Sequence, residues 1–235
     1  MARDLLLRGM LAGLLAGLLT FAVATLIGEP QLELAIGFET TRHHATTHTM
    51  EPELVGRGTQ RGLGLLTACV AIGVALGGIL AIVFGFAYQR VGRINAAALA
   101  ALLASAGFVV VVLVPQLKYP ANPPAVGTDD TVGLRTALYF EMILIALGSL
   151  VLALLLGRQL VARLGKQGAL LVAAAAFIVV VAALQLALPN INEVPEGFPT
   201  DVLWRFRLAS LGTQFVLWAA LGAIFGLLAR RSLHA

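Results

Sequence analysis

Six long apolar stretches constrain this chain more than any other feature of its sequence. A helix that crosses a lipid bilayer needs about 20 consecutive, mostly apolar residues. Stretches of that kind occupy residues 9–27, 62–87, 95–117, 136–157, 169–188 and 209–229. With 59% hydrophobic and only 12% charged residues, the chain lacks the polar surface of a soluble protein. The pattern predicts an all-α polytopic membrane protein whose six transmembrane helices form one domain over residues 1–235.

The distribution of Lys and Arg predicts how these spans are oriented. An even number of spans puts both termini on one side of the membrane. With the N-terminus inside, the inner segments hold nine basic residues and one acid, whereas the outer loops hold seven basic residues and ten acids. Because basic residues concentrate on the cytoplasmic side, we expect both termini in the cytoplasm of a cell inner membrane. Topology thus explains the net charge of +4, and no nucleic-acid partner is needed.

The first stretch resembles the core of a signal peptide, but it is longer than the roughly 7–15 apolar residues of such a core. We therefore interpret it as a retained first helix. All nine prolines of the chain lie in the outer loops or at outer helix ends. Because proline stops helices, they predict shaped, non-helical backbone on the outer side, where function concentrates.

The first outer loop, predicted over residues 28–61, carries the clearest chemistry. It contains His43, His44 and His48, three of the four histidines in the chain, together with Glu39 and Glu51. Neutral imidazole binds divalent first-row metals, and carboxylates add harder oxygen ligands. These five residues predict a metal-capture site. A pH-sensing loop and an inert, solvated loop remain open as alternatives.

One acid falls inside a predicted span. A carboxylate near the bilayer centre costs about 2.5–3.5 kcal/mol on insertion scales, so it seldom persists without a partner or a water-filled site. Glu141 is therefore a candidate ion or proton site, although a hydrogen-bonded glutamate that joins helices is an equal alternative. Outside the membrane, Glu193 and Glu196 are candidates to lie beside Arg205 and Arg207, with Glu29 completing the mouth of a transport path. Ion pairs that merely anchor helix starts would use the same residues.

Glycines spaced four apart predict close helix packing in three of the spans. Such spacing removes side chains from one stripe of a helix and lets a neighbouring helix approach. The stripes are Gly9, Gly13 and Gly17, then Gly73 and Gly77, then Gly222 and Gly226. We expect packing within this subunit, while a partner subunit docking on the first helix is the alternative.

Sequence motifs for catalysis are missing. The chain has no phosphate-binding loop, no His-Glu-x-x-His and no Gly-x-Ser-x-Gly. We therefore expect no enzyme and no tightly bound cofactor, and any energy must come from an ion gradient or another subunit. A membrane enzyme acting on lipid or envelope precursors is a third class, but the outer loops offer acids without a matching base.

Several segments of the outer side resemble one known family. The resemblance spans essentially the whole chain and is carried by residues 8–10, 28–31, 51–55, 117–127, 192–199 and 203–210. Its most specific strings are Lys118-Tyr119-Pro120-Ala121-Asn122-Pro123-Pro124 and Asn192-Glu193-Val194-Pro195-Glu196-Gly197-Phe198-Pro199. These look like the CbtA family of predicted cobalt transporter subunits. The resemblance implies Co²⁺ uptake linked to cobalamin supply and a small single-span partner, CbtB, with its own histidines.

The sequence therefore predicts a membrane subunit of a Co²⁺ uptake transporter. In this hypothesis the histidine-containing loop collects Co²⁺ as substrate, the outer charged residues shape the mouth, and Glu141 accepts the ion or a proton below it. The alternative is a non-transporting accessory or assembly subunit that binds a partner through its outer loops. Homo-oligomer formation is left open.

Overall fold

The computed structural model describes residues 2–46, 55–88, 90–92 and 94–233, with only the backbone described at 43–46, 129, 232 and 233. Within these residues the chain is helical and contains no strand. Five helices are long and apolar enough to cross a membrane. They are α1 (Ala2–Val23, a π-helical turn Ala24–Gly28, and Glu29–Thr46), α2 (Arg57–Ala87), α3 (Ala96–Lys118), α4 (Asp129–Ala187) and α5 (Thr200–Leu233). The predicted class, an all-α multi-span membrane protein, is confirmed.

Helix α4 folds back on itself at a glycine. Gly165 has φ 69° and ψ 174°, a non-helical conformation that glycine adopts without steric penalty. A Cβ built on Gly157 would lie 3.2 Å from the Cβ of Ala173, whereas these residues would stand about 24 Å apart in a straight helix. The two arms of α4 correspond to the predicted spans 136–157 and 169–188. Six crossings with both termini cytoplasmic remain a prediction.

The predicted end of the first helix was wrong. We expected a loop from residue 28, but α1 continues as an 18-residue helical segment, Glu29–Thr46. The expectation failed because Pro30 does not stop this helix. The π turn Ala24–Gly28 ends two residues before Pro30, and its wider backbone ring accommodates the missing N–H and the bulky pyrrolidine ring. Helix α3 repeats this arrangement, with a π-helical stretch at Phe108–Leu113 and Pro115 two residues later.

The chain divides into two compact units. The first comprises residues 1–108, 122–125 and 196–235, and the second comprises residues 109–121 and 126–195. In the first unit, α1 packs on α2 through glycines of both helices. A Cβ on Gly13 would overlap the carbonyl of Gly73, and a Cβ on Gly9 would overlap the carbonyl of Gly77. The stripe on the first helix therefore serves packing within the subunit, as predicted, and α2 occupies it.

Helix α5 approaches α3 in the same way. A Cβ on Gly222 would lie 2.7 Å from the Cβ of Ala104, and one on Gly226 would lie 3.1 Å from the Cα of Ala97. Small residues on both helices thus replace the larger interlocking side chains of a soluble bundle. Backbone contacts of this kind hold helices together where lipid supplies no hydrophobic driving force.

The second unit packs the C-terminal half of α3 against both arms of α4. Its core includes Val110, Leu138, Met142 and Val181. Pro115 cannot donate the N–H that would normally bond to the carbonyl four residues earlier. The Tyr139 hydroxyl donates to that carbonyl oxygen, on Val111, at 3.0 Å, so the backbone acceptor stays paired inside the membrane.

Candidate functional site

Two ion pairs join α1 to α2 above the glycine contact. The Arg57 Nη2 lies 2.6 Å from a Glu29 carboxylate oxygen, and the Arg61 Nη1 lies 3.0 Å from a Glu33 carboxylate oxygen. The first pair is largely buried, with 28% of the Arg57 side chain and 11% of the Glu29 side chain exposed. The second pair is more than half exposed. Because a buried charge needs a partner, Glu29 and Arg57 depend on each other.

A small cavity lies beside the π turn of α1 in the first unit. Its volume is about 230 Å³, and Glu29 lines it together with Ser210, Thr213 and Gln214 of α5. The Thr213 hydroxyl donates to the Ala209 carbonyl at 2.8 Å. The wall of the cavity is mostly apolar, and its polar lining residues carry one carboxylate, two hydroxyls and an amide, which are ligand types that a cation can use.

Ser210, Thr213 and Gln214 were not among the site residues expected from the sequence. A signal was present, since positions 210, 213 and 214 are three and four residues apart and share one helix face. Their neighbour across the cavity could not be found in this way. Glu29 reaches the cavity because the π turn, which has no clear sequence signature, sets the direction of the following helix.

The two arginines expected at the mouth have different surroundings. Arg205 is exposed on α5. The Arg207 Nη2 donates to the Asn122 side-chain oxygen at 3.1 Å, while its buried Nε has no hydrogen-bond partner among the described residues. The Phe198 ring contacts Phe38 of α1 edge-on, with ring centroids 5.0 Å apart. Arg207 therefore ties Asn122 to α5, whereas the Arg205 side chain is exposed.

The acid that we expected beside Arg205 and Arg207 has another partner. In the second unit, Glu193 Oε2 lies 3.4 Å from Arg135 Nε, and both side chains are mostly buried. The Arg135 guanidinium lies against Gly127, whose φ of 112° and missing side chain make room for it. Glu193 thus helps to fix the start of α4, and its expected position beside Arg205 and Arg207 stays a prediction.

Two residues of the first specific string, Lys118 and Tyr119, join the end of α3 to the residues that follow α4. The Lys118 ammonium donates to the Asn190 side chain at 2.5 Å, and the buried Tyr119 hydroxyl donates to the Pro189 carbonyl at 2.9 Å. Burial, and then the negative charge of Glu141, raise the pKa of Tyr119 above its ordinary value. The hydroxyl therefore stays protonated and keeps donating.

Glu141 lies on the first arm of α4 and is exposed. It makes no hydrogen bond or ion pair with any described residue of the chain. A carboxylate on the surface of a membrane-spanning helix still needs a partner, a proton or water. The structure therefore gives Glu141 an outward position rather than a place within the packed helices of its own unit.

The side chains of most of the predicted metal ligands are not among those that the structure describes. His43 and His44 lie on the helical backbone of α1, their side chains are not described, and His48 and Glu51 are outside the described residues. Glu39 is half-buried on α1. Among the side chains that the structure describes, no group of three or more His, Cys, Asp and Glu comes together as a metal site. The five-residue capture site stays a prediction.

The long apolar helices define a multi-pass membrane protein whose first unit holds a small, mostly apolar cavity between its helices. The family model described as "Probable cobalt transporter subunit (CbtA)" matches residues 2–230. The chain therefore belongs to the CbtA family, whose members are described as probable cobalt transporter subunits. No curated protein and no solved structure matches the chain.

Proposed function

We propose that the chain is the membrane subunit of a Co²⁺ uptake transporter in the cell inner membrane, linked to cobalamin supply. It would form one membrane-embedded domain with six crossings and both termini in the cytoplasm. Family membership supports cobalt as the cargo. The observation that supports the proposal is a small cavity of the first unit whose lining residues include Glu29, Ser210, Thr213 and Gln214.

Helix α1 connects the predicted capture residues with this cavity. His43 and His44 stand about 21 Å along the helix from Glu29, at 1.5 Å per residue. Glu33 and Glu39 lie between them on the same helix. Glu29 and Glu33 already have arginine partners, so a divalent cation would compete with Arg57 and Arg61 for them. An ion collected by His43, His44, His48, Glu39 and Glu51 would thus reach Glu29 by displacing Arg57 from it.

The capture step is tested by replacing His43, His44 and His48 with alanine. Uptake at low Co²⁺ should fall, with the apparent KM raised more than the maximal rate, because capture matters least at saturation. Uptake by the unaltered protein should also weaken as pH falls through about 6.5, since imidazole must be unprotonated to bind metal. His234→Ala, the remaining histidine, is the matched control. Unchanged uptake at low Co²⁺ in the triple variant would remove the capture step.

The cavity step is tested at Gln214. Gln214→Met keeps the size of the side chain and removes its oxygen. We expect a lower maximal rate with little change in the apparent KM. Gln159→Met, at an exposed position on α4, is the control and should transport normally. Equal rates for the two variants would exclude the cavity from the path.

Glu141 is proposed to accept the ion or a proton lower in the path, and Glu141→Gln should then reduce transport. Its exposed position also favours a second function, a non-transporting accessory subunit whose spanning surface docks on a small single-span partner of the CbtB kind. Reconstitution into vesicles that contain a cobalt-sensitive dye separates the two functions. Uptake by the chain alone supports a transport path within it, whereas uptake only with the partner supports the accessory role.

A further inference from the structure

A second and larger cavity lies at the opposite end of α1 and α2 from the ion pairs. Its volume is about 710 Å³. It lies between the first turns of α1 and the last turns of α2, within the first unit. The residues used below are Arg3, Ile82, Gly85, Phe86, Tyr88 and Arg90, all of which line it. None of them takes part in the proposed cobalt path.

The wall of this cavity is apolar and open toward lipid. Gly85 leaves space in it, because a Cβ built there would meet no atom within 4 Å. Ile82 and Phe86 are 53% and 69% exposed. In a membrane these surfaces contact hydrocarbon, so the cavity is shaped to receive part of an acyl chain rather than a hydrated ion.

The rim of the cavity carries positive charge. The described lining includes Arg3 and Arg90 and no acidic side chain. The Arg90 Nη1 donates to the Phe86 carbonyl at 2.7 Å, which holds the guanidinium at the rim and leaves its other N–H groups available. Arg3 has no hydrogen bond or ion pair with any described residue. Tyr88 stacks on Phe84, at a ring distance of 5.3 Å, and adds an amphipathic side chain of the kind found at the membrane interface.

We propose that this cavity binds an anionic phospholipid. The phosphate lies between Arg3 and Arg90, and an acyl chain follows the apolar wall past Gly85. Arginine guanidinium groups bind phosphate through charge-assisted hydrogen bonds, and basic pockets between membrane helices select anionic headgroups. The acyl chain of a zwitterionic lipid would pack against the same wall, but the positive charge of its headgroup would be repelled by the two arginines.

Native mass spectrometry of the full-length protein in mild detergent tests this proposal, with phosphatidylglycerol and phosphatidylcholine of identical acyl chains as probes. The unaltered protein should retain phosphatidylglycerol preferentially. The double variant Arg3→Gln with Arg90→Gln should lose about fivefold affinity per arginine, about 25-fold in total, equivalent to about 1 kcal/mol for each basic residue. Arg158→Gln with Arg163→Gln removes the same number of charges from exposed positions on α4 and should bind phosphatidylglycerol as the unaltered protein does.

A second variant tests the wall independently of charge. Gly85→Leu places a side chain in the open space, and we expect it to lower binding of both lipids while thermal unfolding stays unchanged. An equal loss of phosphatidylglycerol affinity in the Arg3/Arg90 and Arg158/Arg163 double variants would overturn the proposal, because diffuse surface charge would then explain the binding. Equal retention of the two lipids by the unaltered protein, or full displacement of phosphatidylglycerol by inorganic phosphate, would also overturn it. Cobalt uptake is measured separately, so failure here leaves the proposed function standing.

Discussion

The ion pair between Glu29 and Arg57 gives the sharpest test of how α1 and α2 are held together. Glu29→Gln preserves the size of the side chain and its ability to accept a hydrogen bond, but it removes the negative charge. Arg57 then keeps a mostly buried guanidinium without a counter-charge. The Gln60 side-chain oxygen, 3.4 Å from Arg57 Nη1, is a neutral acceptor, and the buried Arg57 Nε has no hydrogen-bond partner among the described residues.

The expected loss follows from the burial of the two side chains. Breaking a fully buried pair costs about 3–5 kcal/mol, and a hydrogen bond to a charged group contributes about 1.5–3 kcal/mol. Because 28% of the Arg57 side chain remains exposed, water offsets part of the loss. We therefore expect Glu29→Gln to lower the free energy of unfolding by about 2 kcal/mol.

The chain supplies a matched control four residues further along both helices. Glu33 and Arg61 are the same residue types and join the same two helices, but their side chains are 52% and 59% exposed. Solvent screening limits such a pair to less than about 1 kcal/mol. Glu33→Gln should therefore change stability much less than Glu29→Gln does.

Double-mutant cycles measure both pairs in one assay. Each glutamate and each arginine is replaced by glutamine, singly and together, and unfolding is followed by titration with a denaturing detergent in mixed micelles. We expect a coupling energy of about 2 kcal/mol for Glu29 with Arg57 and less than about 0.5 kcal/mol for Glu33 with Arg61. Added salt should weaken only the exposed pair. Equal coupling energies for the two pairs would refute the assignment of different burial.

Three further predictions use the same unfolding assay. Gly13→Val should prevent folding or destabilise by more than about 3 kcal/mol because its side chain would overlap the α2 backbone, whereas Gly37→Ala, with open space around its Cβ, should stay within about 0.5 kcal/mol. Equal losses of stability for Gly13→Val and Gly37→Ala would contradict the close contact between α1 and α2. Tyr139→Phe should cost about 1 kcal/mol by removing a donor to an α3 carbonyl, and no change would mean that the carbonyl finds another donor. The pKa of Tyr119 is raised by burial and a nearby negative charge, so its contribution is full below about pH 10 and is lost as pH rises through the higher folded-state value. Tyr119→Phe should abolish that alkaline loss, and an identical alkaline profile would contradict the assignment.

The spans could be predicted because lipid makes a simple demand on the sequence. Every backbone polar group in the hydrocarbon must be paired internally, so length and hydropathy alone indicate helices. The stripes at Gly9 and Gly13, and at Gly73 and Gly77, also predicted close packing within the subunit. What the sequence left open was which stripe meets which, because all of the stripes carry the same four-residue spacing.

The outer end was harder to predict because its contacts join residues distant in the chain. Arg135 and Glu193 meet through the return of the second arm of α4, and local spacing does not reveal that pairing. Helix α1 extends beyond its predicted end because a π turn tolerates Pro30, and hydrophobic periodicity does not report a change from one helix type to another. The cavity near Glu29 depends on contacts between distant residues, since residues of three helices line it, and on the direction that the π turn gives to α1.

The π turn of α1 also sets the rotational phase of everything that follows it. A regular helix advances about 100° per residue, so one residue more or fewer turns the later segment by that angle about its axis. Deleting Leu26, which is 75% exposed within the turn, would leave the membrane-embedded half of α1 seated on α2 while swinging Glu29 away from Arg57. The length of the π turn thus sets the rotation of the segment Glu29–Thr46 about the helix axis. An insertion or deletion of one residue there would rotate this segment while the preceding helix stays packed on α2.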